Sequence, residues 1–310
     1  MSTRSHPREI ARLIPLACRL GLCLLFAACA SPEPKKLTLV TELPVAHREL
    51  WTAWLHQDPD WSLRREEARG DASLRRFLVD NLIRQMLQNY GDARIANIGA
   101  TSLGPFERAR GEILRFPDEA MAPLTEILAI GNGHASELAS SLLEEIGRPA
   151  VHSVVLLLER DDPQARRRAA DLLGRLPHAH AEEEHVQQVL IKALSSDSEW
   201  LVRAKAALAV GSRGSRHTTT KAARTALCRA LADKDQAVSV KAVRGLTMLD
   251  DPAAVPALIN YLERSSMAGV VAGVYEAQDA LRKLTGESSS HDVREWRDIW
   301  QQLRRRDPNR

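Results

Sequence analysis

The chain has 310 residues, of which 27% are charged and 4% are aromatic, and its formal net charge is +3. This length accommodates two ordinary domains or one elongated array, and an apolar share of 44% excludes a chain that is disordered throughout. Four Cys exclude a disulfide scaffold, and the low aromatic share favours helices over sheets.

The N-terminal residues have the pattern of an export signal. A leader with four Arg precedes the uncharged apolar stretch of residues 20–28. Nine apolar residues are too few to span a bilayer, but they suffice for the core of a signal peptide. This stretch ends in Phe26-Ala27-Ala28, directly before Cys29.

The segment that ends at Cys29 resembles the bacterial lipobox, although Phe26 departs from the usual aliphatic residue. The resemblance implies a lipoprotein signal peptide over residues 1–28 and a lipid on Cys29. The protein would then be held at the cell envelope, and the periplasmic face of the outer membrane is permitted. Cleavage to a soluble secreted or periplasmic protein and an uncleaved anchor are the open alternatives. Residues 29–42 begin with a polar, Pro-rich segment and are interpreted as a flexible tether.

Beyond about residue 118 the chain repeats itself with two alternating segments. The first is an apolar helical pattern that ends in Leu before a polar turn, and the second carries a pair of small residues such as Ala169-Ala170. The repeat spacings are 36, 37 and 31 residues between Leu158, Leu194, Leu231 and Leu262. Two amphipathic helices per period predict an all-α fold, a right-handed α-solenoid of antiparallel helix pairs.

The copies of the segment at residues 161–174 resemble HEAT repeats, of the bacterial type also called phycobilisome-lyase-like. The resemblance covers residues 105–286 and implies a fold rather than a chemistry. Residues 43–104 are interpreted as an N-terminal helical cap region, and residues 287–310 as a C-terminal capping helix and tail.

The C-terminal segment is similar to the closing segment of many bacterial HEAT lipoproteins. Leu284-Thr285-Gly286 is followed by a polar loop and by Trp296 and Trp300, which are four residues apart and share one helical face. We expect the two Trp to cover the last apolar layer of the solenoid. An aromatic binding platform is the alternative interpretation.

Gly and Asp residues of the types that cap helices mark the predicted helix ends. Gly147, Gly174 and Gly211 follow apolar runs and are predicted to end helices in the left-handed conformation. The carboxylates predicted to cap helix starts are those of Asp162, Asp197 and Asp235.

The sequence contains no recognisable catalytic motif. We therefore predict no enzyme, no cofactor, no catalytic residue and no metal site. Residues 178–185 contain three His and three Glu, but these lack a closed ligand set at a known metal spacing. The Gly-rich basic run of residues 211–217 is interpreted as a polar connector, with an anion-binding loop as the alternative. Cys228 occupies an apolar position of the repeat, which favours a buried structural thiol over a nucleophile.

Charge is unevenly distributed, with a net +8 over residues 201–244 and a net −6 over residues 107–162. Arg166 and Arg203 are predicted to bond the turn of a neighbouring repeat, for example at Asp162 or Asp197. The sharper hypothesis is that the basic stretch binds an acidic partner. The candidate residues for that role are Arg203, Lys205, Arg213, Arg216, Lys221, Arg224, Lys241 and Arg244.

These features predict a non-enzymatic scaffold for protein–protein interaction at the bacterial cell envelope. Its expected partners are other envelope proteins, and its N-terminal lipid would hold it on a membrane. The alternatives are a HEAT-like nucleic-acid-binding or DNA glycosylase-type protein and a bilin-lyase-like factor for cofactor attachment. Export argues against nucleic acid, and removal of the leader leaves 39 basic and 39 acidic residues, a net charge of zero.

Overall fold

The computed structural model describes residues 43–95, 104–177, 182–214 and 220–307. Within these ranges the chain is entirely helical between its turns, which confirms the predicted all-α class. The predicted signal peptide, Cys29 and the whole of the predicted tether lie outside the described residues. None of the described helices is long and apolar enough to cross a membrane.

Fifteen α-helices follow one another in the described residues. Those of the N-terminal half are α1 (Val45–Leu55), α2 (Trp61–Arg69), α3 (Ala72–Ile95), α4 (Gly104–Ile113), α5 (Pro117–Ile130), α6 (Gly133–Ile146) and α7 (Ala150–Leu156). Those of the C-terminal half are α8 (Pro163–Leu173), α9 (Glu183–Ser196), α10 (Trp200–Gly214), α11 (Thr220–Ala230), α12 (Gln236–Leu249), α13 (Val255–Met267), α14 (Val271–Thr285) and α15 (Val293–Arg306). Short 3₁₀ turns at Leu157–Glu159 and Pro252–Ala254 extend α7 and precede α13.

Consecutive helices form pairs that stack into a solenoid. α9 packs against α10, α11 against α12, and α13 against α14. The second helices of the pairs, α8, α10, α12 and α14, stack on one another in that order. One continuous apolar core therefore runs between two layers of helices, as the repeat pattern predicts.

Helix α8 shows how the sequence builds one unit. Its apolar residues recur at helical spacing, so that Ala165, Ala169 and Leu172 are fully buried. Pro163 occupies its first turn, and the side chain of Asp162 accepts a hydrogen bond from the backbone N–H of Gln164, which confirms the predicted cap.

Two successive repeats approach each other very closely between α10 and α12. A Cβ added to Gly245 would lie 2.6 Å from the carbonyl oxygen of Ala207, and one added to Gly211 would overlap the backbone of Gly245. Only hydrogen fits at these two positions, so the helices meet backbone to backbone.

Two of the three predicted left-handed helix ends are wrong. Gly147 does adopt the positive φ that the sequence predicts, at 77°. Gly174 instead has φ of −64°, and Gly211 lies inside α10, so the prediction of a left-handed end is wrong for both. Gly at these positions serves close packing, since Gly174 would bring a Cβ within 3.1 Å of Ala209 Cα.

Arginine side chains connect one repeat to the next. Arg166 donates from Nε and Nη2 to the two carboxylate oxygens of Asp197, at 2.7 and 3.0 Å, which confirms its predicted structural role. Its Nη1 donates to the carbonyls of Arg160 and Asp161 in its own turn. Arg203 repeats the arrangement one unit later, with Asp233 as the carboxylate at 2.8 and 3.0 Å.

Helix α15 covers the end of the stack by packing on α13 and α14. Asp292 and Glu295 form a reciprocal capping box at its start. Trp296 is fully buried and donates from Nε1 to Gln278 Oε1 at 2.8 Å, and Trp300 is buried as well. The burial of both rings confirms their expected place in the packing rather than on an exposed platform.

Candidate interaction surface

The basic residues of α10 to α12 divide between the interior of the solenoid and two exposed surfaces. Arg213 is 1% exposed, and its guanidinium donates to both carboxylate oxygens of Glu183 at 2.8 and 2.5 Å. It also donates to the backbone carbonyls of Leu173 and Leu176 at the end of α8. Arg213 therefore closes the junction of α8, α9 and α10, and its donors are already occupied.

Arg203 is likewise in the interior, at 4% exposure. The carboxylates of Asp233 and Asp235 face it, and hydrogen bonding by Asp233 raises the pKa of the Arg203 guanidinium above its ordinary value. The sequence groups Arg203 and Arg213 with residues that bind a partner, but the structure places both where they join repeats.

A second group lies on the exposed face of the second helices. Lys205 of α10 and Lys241 and Arg244 of α12 lie on this face, which we call the basic face. Lys205 Nζ donates to Asp171 of α8 at 2.6 Å, and Arg244 Nε donates to Glu276 of α14 at 2.8 Å. Both of these ion pairs bridge adjacent repeats along the face.

Lys241 occupies the centre of the basic face. Burial lowers the pKa of Lys241 below its ordinary value, and the positive charges of Arg244 and Lys205 lower it further, against the opposing effect of Glu276. Two carboxylates, Asp171 and Glu276, face three cations, so the group keeps a net positive charge. An anion brought to this point would relieve the repulsion between three cations.

The remaining predicted residues lie elsewhere. Lys221 and Arg224 are on α11, in the other layer of helices, where Arg224 forms an ion pair with Asp251. Arg216 falls outside the described residues. The eight residues therefore do not form one surface, and only Lys205, Lys241 and Arg244 share an exposed face of consecutive repeats.

The other predicted features are placed as follows. Within the described residues no group of three or more His, Cys, Asp or Glu could hold a metal ion. His178 and His180 lie outside those residues, and Glu183 is committed to Arg213. Cys228 is half-buried, and burial raises the pKa of its thiol, so the neutral form predominates.

The N-terminal region contains a concave feature that the sequence does not predict. A cavity of about 290 Å³ lies between α1, α2 and α4, where Trp54 and Trp61 face Glu112, and we call it the Trp pocket. The two Trp stand near each other in the sequence, but nothing in the spacing indicates that α4 would bring a carboxylate to them.

The architecture defined by these helices is an α-solenoid, and a comparison with protein families identifies its repeats. The family model described as HEAT repeats matches residues 151–223 and, in an overlapping second match, residues 187–277. HEAT repeats are thus detected from α7 to α14, the region that contains the basic face.

Solved structures similar to the chain include crystal structures of two engineered proteins from the Northeast Structural Genomics Consortium. One is 17% identical, with 79% of this chain and 98% of that chain covered and a TM-score of 0.40. The other is also 17% identical, with 77% and 68% covered and a TM-score of 0.39. No curated protein matches the chain.

Proposed function

We propose that the chain is a non-enzymatic scaffold of the bacterial cell envelope that binds acidic partner proteins on the basic face. The observation that carries this proposal is the group of Lys205, Lys241 and Arg244, three interacting cations with two carboxylate partners on a surface shared by successive repeats. A solenoid presents such a surface to an extended partner without a deep cleft. Ala237 precedes Lys241 by one turn of α12 and is small and exposed, so it leaves room for a peptide backbone.

The proposed location follows from the N-terminal sequence. A lipid on Cys29 and a polar tether over residues 29–42 would hold the solenoid on a membrane surface. The glycosylase-type and bilin-attachment alternatives gain no specific support from the described residues, because neither the basic face nor the Trp pocket contains a catalytic constellation.

Binding to a labelled deca-glutamate peptide, measured by fluorescence anisotropy with the full chain, tests the basic face. The Lys241→Glu variant should weaken binding by about tenfold, because it replaces attraction by repulsion at the central position. Lys221→Glu is the matched control, since it makes the same charge change on the opposite layer, and it should change the affinity by less than about twofold. Equal losses in both variants, or no loss in either, would refute the assignment to this face.

The anchor is tested separately in cells. Wild-type protein should incorporate labelled palmitate and sediment with membranes, and Cys29→Ala should do neither. Unlabelled wild-type protein in the soluble fraction would refute the lipid anchor and leave the basic face to the peptide experiment.

A further inference from the structure

The Trp pocket of the N-terminal region is lined by aromatic rings and a carboxylate, which are groups that bind cations. Trp54 at the end of α1 and Trp61 at the start of α2 form a corner, with ring centroids 5.1 Å apart and planes at 60°. Glu112 of α4 forms the opposite wall, and the cavity of about 290 Å³, which is partly open to solvent, lies near the lower limit of small-molecule pockets.

Hydrogen bonds hold the two rings in place. Trp54 Nε1 donates to Gln85 Oε1 of α3 at 2.9 Å. Trp61 Nε1 donates to Glu112 Oε1 at 3.3 Å, and Arg65 Nη1 donates to the same oxygen at 3.0 Å. The pocket is therefore formed before any ligand binds.

Glu112 has an unused acceptor in this pocket. The residue is 8% exposed, and its Oε1 accepts both of the hydrogen bonds described above. Its Oε2 is buried and has no hydrogen-bond partner among the residues that the structure describes. A carboxylate oxygen without a donor in such a place is costly, so a ligand that supplies an N–H would gain a charge-assisted hydrogen bond.

The position of Arg108 indicates which cation fits. Its Cζ lies over the ring of Trp54, 5.1 Å from the ring centroid, in a cation–π contact. Arg108 is itself exposed, so its side chain can leave the ring at little cost. The carboxylates of Asp58, Glu107 and Glu112 line the cavity against the guanidinium groups of Arg108 and Arg115. Displacement of Arg108 therefore leaves a net negative lining that favours a positive ligand.

We propose that the Trp54–Trp61–Glu112 pocket binds a guanidinium group, which replaces Arg108 on the rings and donates to Glu112 Oε2. The group could belong to an arginine side chain of a partner protein or to a free arginine derivative. This inference goes beyond the scaffold function, because the site lies in the N-terminal region and selects the charge opposite to that selected by the basic face.

Calorimetric titration of the full chain with N-acetyl-arginine-N-methylamide tests the proposal. Glu112→Gln keeps the shape of the side chain but removes its charge and puts an amide NH2 donor in place of the Oε2 acceptor, and it should weaken binding by about tenfold. Arg108→Ala removes the internal competitor and should strengthen binding by about threefold or more. Glu67→Gln is the control, because it neutralises an exposed carboxylate of α2 that does not line the pocket, and it should change affinity by less than about twofold.

Two results would overturn the proposal. One is the absence of saturable binding by both wild type and Arg108→Ala, which would mean that Oε2 is satisfied within the protein. The other is an unchanged affinity in Glu112→Gln that circular dichroism shows to be folded. Titration with Gly-Arg-Gly separates the two sources, because a partner's side chain requires that the peptide bind at least as tightly as the blocked amino acid.

Discussion

Neighbouring units join in different ways at α10–α12 and at α8, which packs on α5 and faces α6 across a groove. At α10–α12 the backbones touch at Gly211 and Gly245. Between α8 and the α5–α6 pair a groove of about 230 Å³ remains, where Arg168 donates to the end of α5 and Arg175 donates to Ser140 of α6. One repeat pattern therefore gives either a tight or a bridged junction, depending on the volume of a few side chains at the contact.

The largest loss of stability is expected from Arg213→Ala. This variant tests how much the region around the tight α10–α12 junction depends on the buried Arg213–Glu183 ion pair. The variant leaves the Glu183 carboxylate buried without its partner, so the free energy of unfolding should fall by about 3–5 kcal/mol. Chemical denaturation measures this. Arg160→Ala, which breaks an exposed pair with Glu126, should cost less than about 1 kcal/mol. Similar losses in the two variants would contradict the distinction.

Gly245→Ala should convert the tight junction towards the bridged one. The new Cβ would lie 2.6 Å from the Ala207 carbonyl oxygen, and forcing the helices apart should cost about 2–3 kcal/mol. Gly111→Ala in α4 is the control, because its Cβ meets nothing within 4 Å and Ala favours the helix, so stability should rise by about 0.5–1 kcal/mol. A Gly245→Ala variant as stable as wild type would show that the close approach is not required.

Arg168→Ala should weaken the bridged junction. Arg168 donates to the carbonyls of Leu128, Ala129 and Gly131 at the end of α5, and the loss of these bonds should cost about 2 kcal/mol. Hydrogen exchange should rise at the end of α5 while that of α12 stays unchanged. If protection fell equally in both helices, the two junctions would be one cooperative unit.

The smallest expected effect is the pH dependence that the Arg166–Asp197 ion pair gives to the free energy of unfolding. Burial of Asp197 favours its neutral form, but hydrogen bonds from Arg166 and from the N–H of Glu199 outweigh this and lower the pKa below its ordinary value of 3.8. Since the pKa is lower in the folded protein, the stabilisation is present above about pH 4 and is lost as the pH falls through the folded pKa. Asp197→Asn should flatten the decline in stability between pH 5 and 2 by about 1 kcal/mol. A profile identical to that of wild type would contradict the assignment.

The sequence predicts the helices and the layer order because apolar spacing and repeat period are local properties. It also predicts the Arg166–Asp197 bond, since the two residues are 31 positions apart, close to one period of the repeat. Counting about one repeat period along the sequence also leads from Arg203 to Asp233 and from Arg213 to Glu183, each 30 positions away. Counting one period in both directions is therefore the signal that distinguishes a structural Arg from an exposed one.

The Trp pocket could not be predicted in this way. Trp61 and Glu112 are 51 residues apart and belong to no common repeat, so their contact depends on how α3 and α4 turn back on α2. The prediction for Gly211 was wrong for a related reason. A Gly after an apolar run ends a helix or admits a neighbouring backbone, and only the position of Gly245 decides between the two.

The ion pairs that Arg166 and Arg203 form between units also determine which helices unfold together. Arg166 and Arg203 each join a turn to the carboxylate of the next unit, but Ser239 occupies the corresponding place in α12 and contacts Tyr261 at 3.2 Å instead. In a linear array, stability is carried by such nearest-neighbour couplings. The ion pairs that join the last unit, Arg244–Glu276 and Arg224–Asp251, are more exposed than those of Arg166 and Arg203. We therefore expect α13, α14 and α15 to detach as a separate foldon before the units that Arg203 and Arg166 join.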